Sequence, residues 1–141
     1  MQPSIFSLLR IVSNSAAASF ARAHGGQITV TQYDILHALS AQGWSARQGE
    51  AATAAKVDRS TTTAAVRRLI VSGYVSTRQD ALDQRAVLIT ATQSGIELAA
   101  RVRAEMGARE RLFLSTLDAG KRVVLAETLA TLAESVVGRG E

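Results

Sequence analysis

Residues 58–75 read DRSTTTAAVRRLIVSGYV and are the most informative segment of the chain. Asp58 is a residue type that caps helices, and several short hydroxyl side chains follow it. Side chains suited to one buried helix face recur at three- and four-residue spacing, namely Thr62, Val66, Leu69 and Ile70. Gly73 suits the left-handed backbone that often ends a helix. The stretch therefore predicts a helix with a polar start and a glycine stop.

Two short runs rich in β-branched residues follow the glycine and predict a hairpin. They span residues 74–78 and 86–90, and the loop between them carries Asp80, Asp83 and Arg85. A capped helix followed by a charged hairpin is typical of a winged helix-turn-helix, in which one helix enters a DNA groove beside the hairpin. The predicted fold class is mainly α with a small β-hairpin wing, that is, a winged helix-turn-helix plus a helical dimerisation region.

The remaining chain predicts five further helices. The first runs from Pro3 to about His24, and the second starts at the capping-type residues 31–34 and ends near Gly43. Residues 45–48 and 90–93 each read as a capping box that opens a helix, and the second of these helices runs to about Leu117. Asp118 caps the last helix, which runs to about Val137 before Gly138 and a polar tail.

The chain resembles the MarR family of bacterial transcriptional regulators. The features that carry the resemblance are the helix start at residues 58–61, the helix exit at residues 68–75, and the wing pattern of residues 83–86 with Leu88, Thr90 and Gly95 after it. The wing pattern is the more specific of these, since many families share a helix-turn-helix.

The resemblance covers essentially the whole chain. It implies one MarR-like domain over residues 1–141, with the winged helix-turn-helix at 31–90 and dimerisation helices at 1–24 and 91–138. The chain departs from the family pattern at Ala64, where Arg is frequent, so one contact with DNA is expected to be missing. At positions matching Ala51 and Ala55 the family usually has Leu, and the smaller residues imply closer helix packing.

The charge is concentrated in the predicted DNA-binding half. Residues 56–85 hold six basic and three acidic side chains, so +3 of the net charge of +4 lies there. A solvated charged face is the alternative explanation, but the charge coincides with the motif. The side chains predicted to contact DNA are Arg59, Ser60, Thr61, Thr63, Arg67, Arg68, Arg78, Asp83 and Arg85, with Asp83 expected to hold the guanidinium of Arg85.

Composition excludes several other classes. The chain is 47% hydrophobic but only 4% aromatic, which predicts an aliphatic, alanine-rich core. No apolar run reaches the roughly 18 residues of a membrane span, and the start does not look like a signal peptide, so a cytoplasmic location is expected. Without Cys there is no thiol switch, and with only two His no structural zinc site is expected. No metal or cofactor is assigned, and a metal site built from Asp, Glu and His stays open as the alternative. The sequence contains no glycine-rich phosphate-binding loop, no serine nucleophile elbow and no cluster of acid–base residues, so an enzyme is not expected.

Apolar residues outside the winged unit suggest self-association. The alternative is that these side chains form a core within one chain. They are too numerous for one small helical unit to bury, and the resemblance implies a dimer. The residues predicted to form the dimer interface are Ile5, Leu9, Val12, Leu112, Leu125, Leu129, Leu132 and Val136. A two-fold dimer would place two DNA-reading helices about one DNA turn apart and favour a pseudo-palindromic site.

The resemblance also implies a pocket for a small aromatic or lipophilic effector. Arg10, His37 and Trp44 could line it, supplying a cation, a hydrogen-bond donor and an aromatic wall. His37 and Trp44 could equally be packing residues.

The function predicted is a sequence-specific, ligand-responsive repressor that binds a double-stranded operator as a homodimer. The alternative is a winged helix used as a protein-interaction module without specific DNA binding.

Overall fold

The computed structural model describes residues 1–137, which form six helices and one three-stranded sheet. In chain order the elements are α1 (Ile5–His24), α2 (Val30–Ser40), β1 (Ser45–Arg47), α3 (Gln48–Ala55), α4 (Arg59–Val71), β2 (Val75–Gln79), β3 (Val87–Ala91), α5 (Gln93–Phe113) and α6 (Ala119–Val137). The six predicted helices and the hairpin are confirmed. Gly138 and the predicted polar tail lie outside the described residues.

The chain divides into two compact units, Met1–Ala104 and the residues from Glu105 onward. The boundary falls within α5, so the first unit holds α1 to α4, the three strands and the start of α5. The predicted single domain, with its winged part and dimerisation helices, remains a prediction.

The three strands pair in the antiparallel order β1-β3-β2. Val75 of β2 lies opposite Ala91 of β3, so each strand of the hairpin lies one residue later than predicted. The third strand was not predicted: Ser45 of β1 lies opposite Thr90 of β3, and their hydroxyls are 2.9 Å apart. The capping box predicted at residues 45–48 is therefore wrong, because the Ser45 hydroxyl bonds across the sheet instead of to the next helix.

The first two helices begin slightly away from the predicted residues. Ser4 caps α1 through its hydroxyl, so Pro3 precedes the cap and does not lie in the first turn. The capping box of α2 is formed by Thr29 and Gln32, with both reciprocal bonds at 3.2 Å, and not by residues 31–34. α2 ends at Ser40, before the predicted stop.

The junction between α4, β2 and α5 is held by a threonine hydroxyl and by a close approach of two backbone segments. Gly73 follows α4 with φ +78°, which confirms the predicted left-handed glycine. The hydroxyl of Thr92 donates to the carbonyl of Gly73 at 2.6 Å and accepts the amide of Gly95 at 3.2 Å. Thr92 therefore caps α5, and the capping box predicted from Thr90 is wrong since Thr90 lies in β3. Gly95 lies so close to the Tyr74 carbonyl that a Cβ would come within 2.1 Å of it.

A second left-handed turn joins α2 to the sheet. Gly43 and Trp44 both have φ +69°, a conformation that costs energy in a residue as bulky as tryptophan. The Trp44 amide donates to the Leu39 carbonyl at 2.8 Å, and its carbonyl accepts the Ala91 amide at 2.9 Å. These two bonds fix the start of the sheet against the end of α2.

The core of the first unit is aliphatic and rich in alanine, as predicted. Ala51 is fully buried, which supports the close packing expected of the small residue there. The largest fully buried side chains are Ile28, Ile35, Leu36, Leu39, Leu69, Ile89, Leu98 and Val102. None of the helices within residues 1–137 combines the length and the apolarity needed to cross a membrane.

The second unit contains the end of α5 and the whole of α6 as far as it is described. α5 ends at Phe113, earlier than the predicted Leu117. In the turn that follows, Arg122 Nε donates to the carbonyls of Leu114 at 3.2 Å and Leu117 at 2.9 Å, where a cation suits the carbonyl end of a helix. Asp118 caps α6 as predicted, because its Oδ1 accepts a backbone amide of the first turn at 2.8 Å.

Candidate nucleic-acid interface

The N-terminus of α4 is organised by the carboxylate of Asp58. Its Oδ1 accepts the Thr61 amide and the Ser60 hydroxyl, both at 2.8 Å, and its Oδ2 accepts the Thr61 hydroxyl at 2.7 Å. The Thr61 amide and hydroxyl, together with the Ser60 hydroxyl, lower the pKa of Asp58 to about 2. The predicted cap is confirmed, and it draws two hydroxyl groups to one anion.

One face of α4 is buried and the other is open. Thr62, Val66 and Leu69 are buried as predicted, and the Thr62 hydroxyl is satisfied by the Asp58 carbonyl at 2.8 Å. The prediction that Ile70 faces the core is wrong, because Ile70 is 41% exposed. Ala65 is buried in its place, since residues 62, 65, 66 and 69 follow the helical repeat more closely than residue 70 does.

The open face of α4 carries most of the side chains predicted to contact DNA. Arg59, Ser60, Thr61, Arg67 and Arg68 are all exposed. Within residues 1–137 the guanidinium groups of Arg59, Arg67 and Arg68 form no hydrogen bond or ion pair, so they are available to bind an external anion.

Thr63 differs from the other hydroxyl residues, because it is half-buried and already engaged. Its hydroxyl donates to the Arg59 carbonyl at 3.0 Å and accepts from Gln48 Nε2 at 3.1 Å. Gln48 begins α3, so its side chain ties that helix to α4. From the sequence Gln48 was assigned to a capping box and its bond to Thr63 was not predicted, because the only signal was a long amide side chain at a helix start.

The wing loop between β2 and β3 is held by its own aspartates. Asp80 Oδ1 accepts the Leu82 amide and Asp83 Oδ1 accepts the Arg85 amide, both at 3.0 Å. The prediction that Asp83 holds the guanidinium of Arg85 is wrong: the short carboxylate reaches the backbone two residues on, and no ion pair joins the two side chains in the described chain. Arg85 is exposed and its guanidinium has no partner there, and Arg78 is exposed on β2.

An arginine outside the predicted set anchors the wing. Arg47 Nε donates to Asp80 Oδ2 at 2.8 Å, which ties the end of β1 to the base of the loop. The Leu82 amide, the Arg47 side chain and the positive charges of Arg47 and Arg78 hold the pKa of Asp80 below its usual range. From the sequence Arg47 was assigned to a capping box, and its bond to Asp80 was not predicted because the two residues are far apart in the chain.

The three residues predicted to line an effector pocket lie on different elements. Arg10 is exposed on α1, His37 is exposed on α2 and its ring stacks on Tyr33 with centroids 5.9 Å apart, and Trp44 is half-buried in the turn before β1. A groove of about 410 Å³ lies elsewhere, lined by residues 25–29, Gln32, Arg67, Arg68, Val71 and Ser72. None of the three predicted residues lines it, so their role stays a prediction.

The residues predicted to form a dimer interface are mostly exposed. On α1, Ile5 is 73% exposed and Val12 is 50% exposed, and Leu9 is exposed beside them. In the second unit the exposed members are Leu112, Leu129, Leu132 and Val136, whereas Leu125 is half-buried. The structure therefore leaves two sets of large apolar side chains in contact with solvent.

Comparison with known proteins finds a family that the winged part of the chain is similar to. Residues 27–86 match the model of the MarR family, a range that runs from before α2 to the end of the wing loop. No curated protein sequence matches the chain.

Solved structures share the fold over nearly the whole chain. A probable transcriptional regulator from Pseudomonas aeruginosa is 26% identical, covers 92% of this chain and 96% of its own, and has a TM-score of 0.84. Bordetella bronchiseptica BpsR, whose DNA binding is regulated by 6-hydroxynicotinic acid, is 23% identical over 92% of this chain and 93% of its own, with a TM-score of 0.86. A mutant MarR from E. coli complexed with operator DNA is 19% identical over 91% of this chain and 92% of its own, with a TM-score of 0.80. Over residues 27–86 the chain therefore matches the model of the MarR family, and over nearly its whole length it shares the winged fold of these solved structures.

Proposed function

We propose that the protein is a homodimeric repressor that binds a pseudo-palindromic double-stranded operator and releases it when a small ligand binds. The observation that carries the proposal is a set of four exposed guanidinium groups that form no hydrogen bond or ion pair within residues 1–137. They belong to Arg59, Arg67 and Arg68 on α4 and to Arg85 in the wing loop. By contrast, Arg47, Arg101 and Arg122 each donate to a protein acceptor. The first group is therefore available for phosphates and base edges.

The α4 helix and the wing suit two different grooves of DNA. The exposed N-terminal half of α4 carries short hydroxyls and arginines, which fit base edges and phosphates in a major groove. Arg85 projects from the wing loop, where a guanidinium can enter a narrow minor groove. The operator-bound E. coli relative, which shares this fold, supports the same assignment here.

Self-association is supported by the exposed apolar side chains of α1 and of the second unit. Burying one such Leu or Ile contributes about 1.5–3 kcal/mol, so a cluster of them favours a stable dimer. A two-fold axis would place two copies of α4 about one DNA turn apart. Ile5→Glu combined with Leu112→Glu should shift the protein to monomers in sedimentation velocity, whereas the control Val71→Glu, at a site that is 88% exposed, should stay dimeric.

Regulation by a small ligand is supported by BpsR, whose DNA binding responds to 6-hydroxynicotinic acid. Arg10, His37 and Trp44 are the residues proposed to bind an aromatic or lipophilic effector. The chain contains no Cys, so a thiol cannot act as the sensor. A ligand that favours a different spacing of the two α4 helices by about 1.4 kcal/mol would weaken DNA binding about tenfold.

The experiment is a selection from random duplexes, followed by binding of the enriched duplex and a scrambled control at two salt concentrations. A specific regulator enriches a two-fold symmetric sequence and binds it at least about a thousandfold more tightly than the control. Its affinity should also fall steeply with salt, because phosphate contacts release counterions. Equal binding of both duplexes would leave the winged helix as a protein-interaction module. Adding aromatic acids to the specific complex then tests the effector.

A further inference from the structure

The hydroxyl hydrogens of Ser60 and Thr61, at the start of α4, are already used in hydrogen bonds to Asp58. A carboxylate can only accept hydrogen bonds, so the Ser60 and Thr61 hydroxyls must each donate to Asp58, at 2.8 Å and 2.7 Å. Each hydroxyl has a single hydrogen, and that hydrogen therefore points inward to the cap. Both residues are exposed, and the lone pairs of each hydroxyl oxygen lie on the side away from the hydrogen that it donates to Asp58.

These hydrogen bonds persist at neutral pH because the Asp58 carboxylate stays ionised. Its pKa of about 2 keeps the carboxylate charged, and hydrogen bonds to a charged acceptor are stronger than those between neutral groups. Thr63 follows the same pattern, since its hydrogen is donated to the Arg59 carbonyl at 3.0 Å. The first turns of α4 thus present hydroxyl groups that can accept hydrogen bonds but have no hydrogen left to donate.

The major groove offers few donors to such a surface. The only base donors there are the amino groups at N6 of adenine and N4 of cytosine, whereas guanine and thymine present acceptors. Phosphate oxygens are also acceptors, so these hydroxyls cannot bind them without breaking a bond to Asp58. We infer that Ser60 and Thr61 read bases that carry a major-groove amino group, adenine or cytosine, and discriminate against guanine and thymine at those positions. The inference rests on the proposed function and names the base chemistry of the same interface.

Arg59 adds hydrogen-bond donors to this surface of hydrogen-bond acceptors. Arg59 is exposed between the cap and Ser60 and supplies donors for phosphates or for guanine, while its charge offsets that of the Asp58 carboxylate near the DNA. The chain therefore separates its roles, with acceptors from hydroxyls and donors from guanidinium groups.

The first test removes single amino groups from the selected operator. Each adenine in turn is replaced by purine, which lacks the N6 amino group, and each cytosine by 2-pyrimidinone, which lacks the N4 amino group. At one or two positions per half-site the wild-type protein should lose about tenfold in affinity, equivalent to about 1.4 kcal/mol. Thr61→Val and Ser60→Ala should bind the unmodified operator more weakly and lose nothing further at one of these positions. Melting curves followed by circular dichroism check that both variants fold.

The second test reverses the hydrogen-bond direction at the cap. Asp58→Asn keeps an acceptor for the Thr61 amide but places an NH₂ donor where Oδ2 accepts the Thr61 hydroxyl. The Thr61 hydrogen is then released toward the groove. Selection with this variant should change the preferred base at one position per half-site from adenine or cytosine to guanine or thymine, while the other positions keep theirs.

The outcomes separate the inference from the proposed function. If the wild-type protein enriches no sequence, the proposed function fails and the inference falls with it. If it enriches a sequence, only the inference is overturned by any of three results: amino-group removal that has no effect, amino-group removal that affects the hydroxyl-lacking variants as much as wild type, or an Asp58→Asn variant with unchanged base preference.

Discussion

Replacing Gly95 with alanine should destabilise the fold, although alanine is the better helix former. A Cβ at Gly95 would lie 2.1 Å from the Tyr74 carbonyl oxygen, whereas ordinary contact begins at 3.4 Å, so the two backbones must separate by about 1.3 Å. Overpacking of this kind costs about 1–3 kcal/mol, and the higher helix propensity of alanine returns at most about 1 kcal/mol. We expect a net loss of about 1–2 kcal/mol in the free energy of unfolding.

The assay is urea denaturation followed by circular dichroism at one fixed protein concentration, because association would make stability depend on concentration. Gly49→Ala is the matched control: it lies in α3, and its Cβ would meet no atom within 4 Å. That variant should be as stable as wild type or slightly more so. If Gly95→Ala unfolded at the same urea concentration as Gly49→Ala, the close approach of α5 to Tyr74 would be refuted.

Four further predictions concern the interface and its acid stability. Arg85→Ala should weaken operator binding at least about tenfold without changing the melting temperature, and unchanged affinity at moderate salt would remove the wing from the mechanism. Arg67→Ala should relax the preference at one base pair if Arg67 reads a base; a uniform loss with a salt slope shallower by about 1 would assign it to a phosphate. Arg47→Met removes the bond to Asp80 and should weaken specific binding about fivefold through the wing; an equal loss in a variant that also carries Arg85→Ala would mean that Arg47 acts elsewhere. Because the pKa of Asp58 is lowered from 3.8 to about 2, its stabilising effect is complete above pH 3.8 and is lost as the pH falls toward 2. Asp58→Asn should therefore lose less stability over that range in urea titrations, and parallel losses would contradict the role of the cap.

The elements that depend on neighbouring residues were predictable from the sequence. The cap at Asp58, the left-handed Gly73 and the cap at Asp118 all rest on contacts within a few residues, and all three are confirmed. A helix cap can be recognised from a short segment of sequence, because the capping residue is adjacent in the chain to the helix that it caps.

The errors arose where a distant partner decided the structure. Ser45 looks like a helix cap, but Thr90 offers it a strand partner and a hydroxyl, so residues 45–47 join the sheet. No local pattern reports that pairing, because tertiary context overrides propensity in a strand of three residues. The cap of α5 was likewise assigned to Thr90 instead of Thr92, because the pairing of Thr90 with β1 is not visible in the local sequence.

The candidate interface shows the same division. The exposed arginines and hydroxyls of α4 followed from its helical repeat, whereas Ile70 was misplaced because a single residue at the edge of the apolar face can lie on either side. Arg47 and Gln48 were missed because their partners, Asp80 and Thr63, lie at least fifteen residues away in sequence. The role of Asp83 was misassigned because spacing alone does not tell a side-chain partner from a backbone one.

The left-handed turn at Trp44 gives the protein a built-in optical reporter. Trp44 is the single tryptophan of the chain, it is half-buried, and its backbone is bonded both to the end of α2 and to β3. Its fluorescence therefore comes from one known place, the joint between a core helix and the central strand of the sheet. A change in emission wavelength on adding DNA or an aromatic acid would report movement or contact at that joint without any attached dye. Two states of the protein that differ only elsewhere would emit alike, so the same signal tells where a structural change occurs.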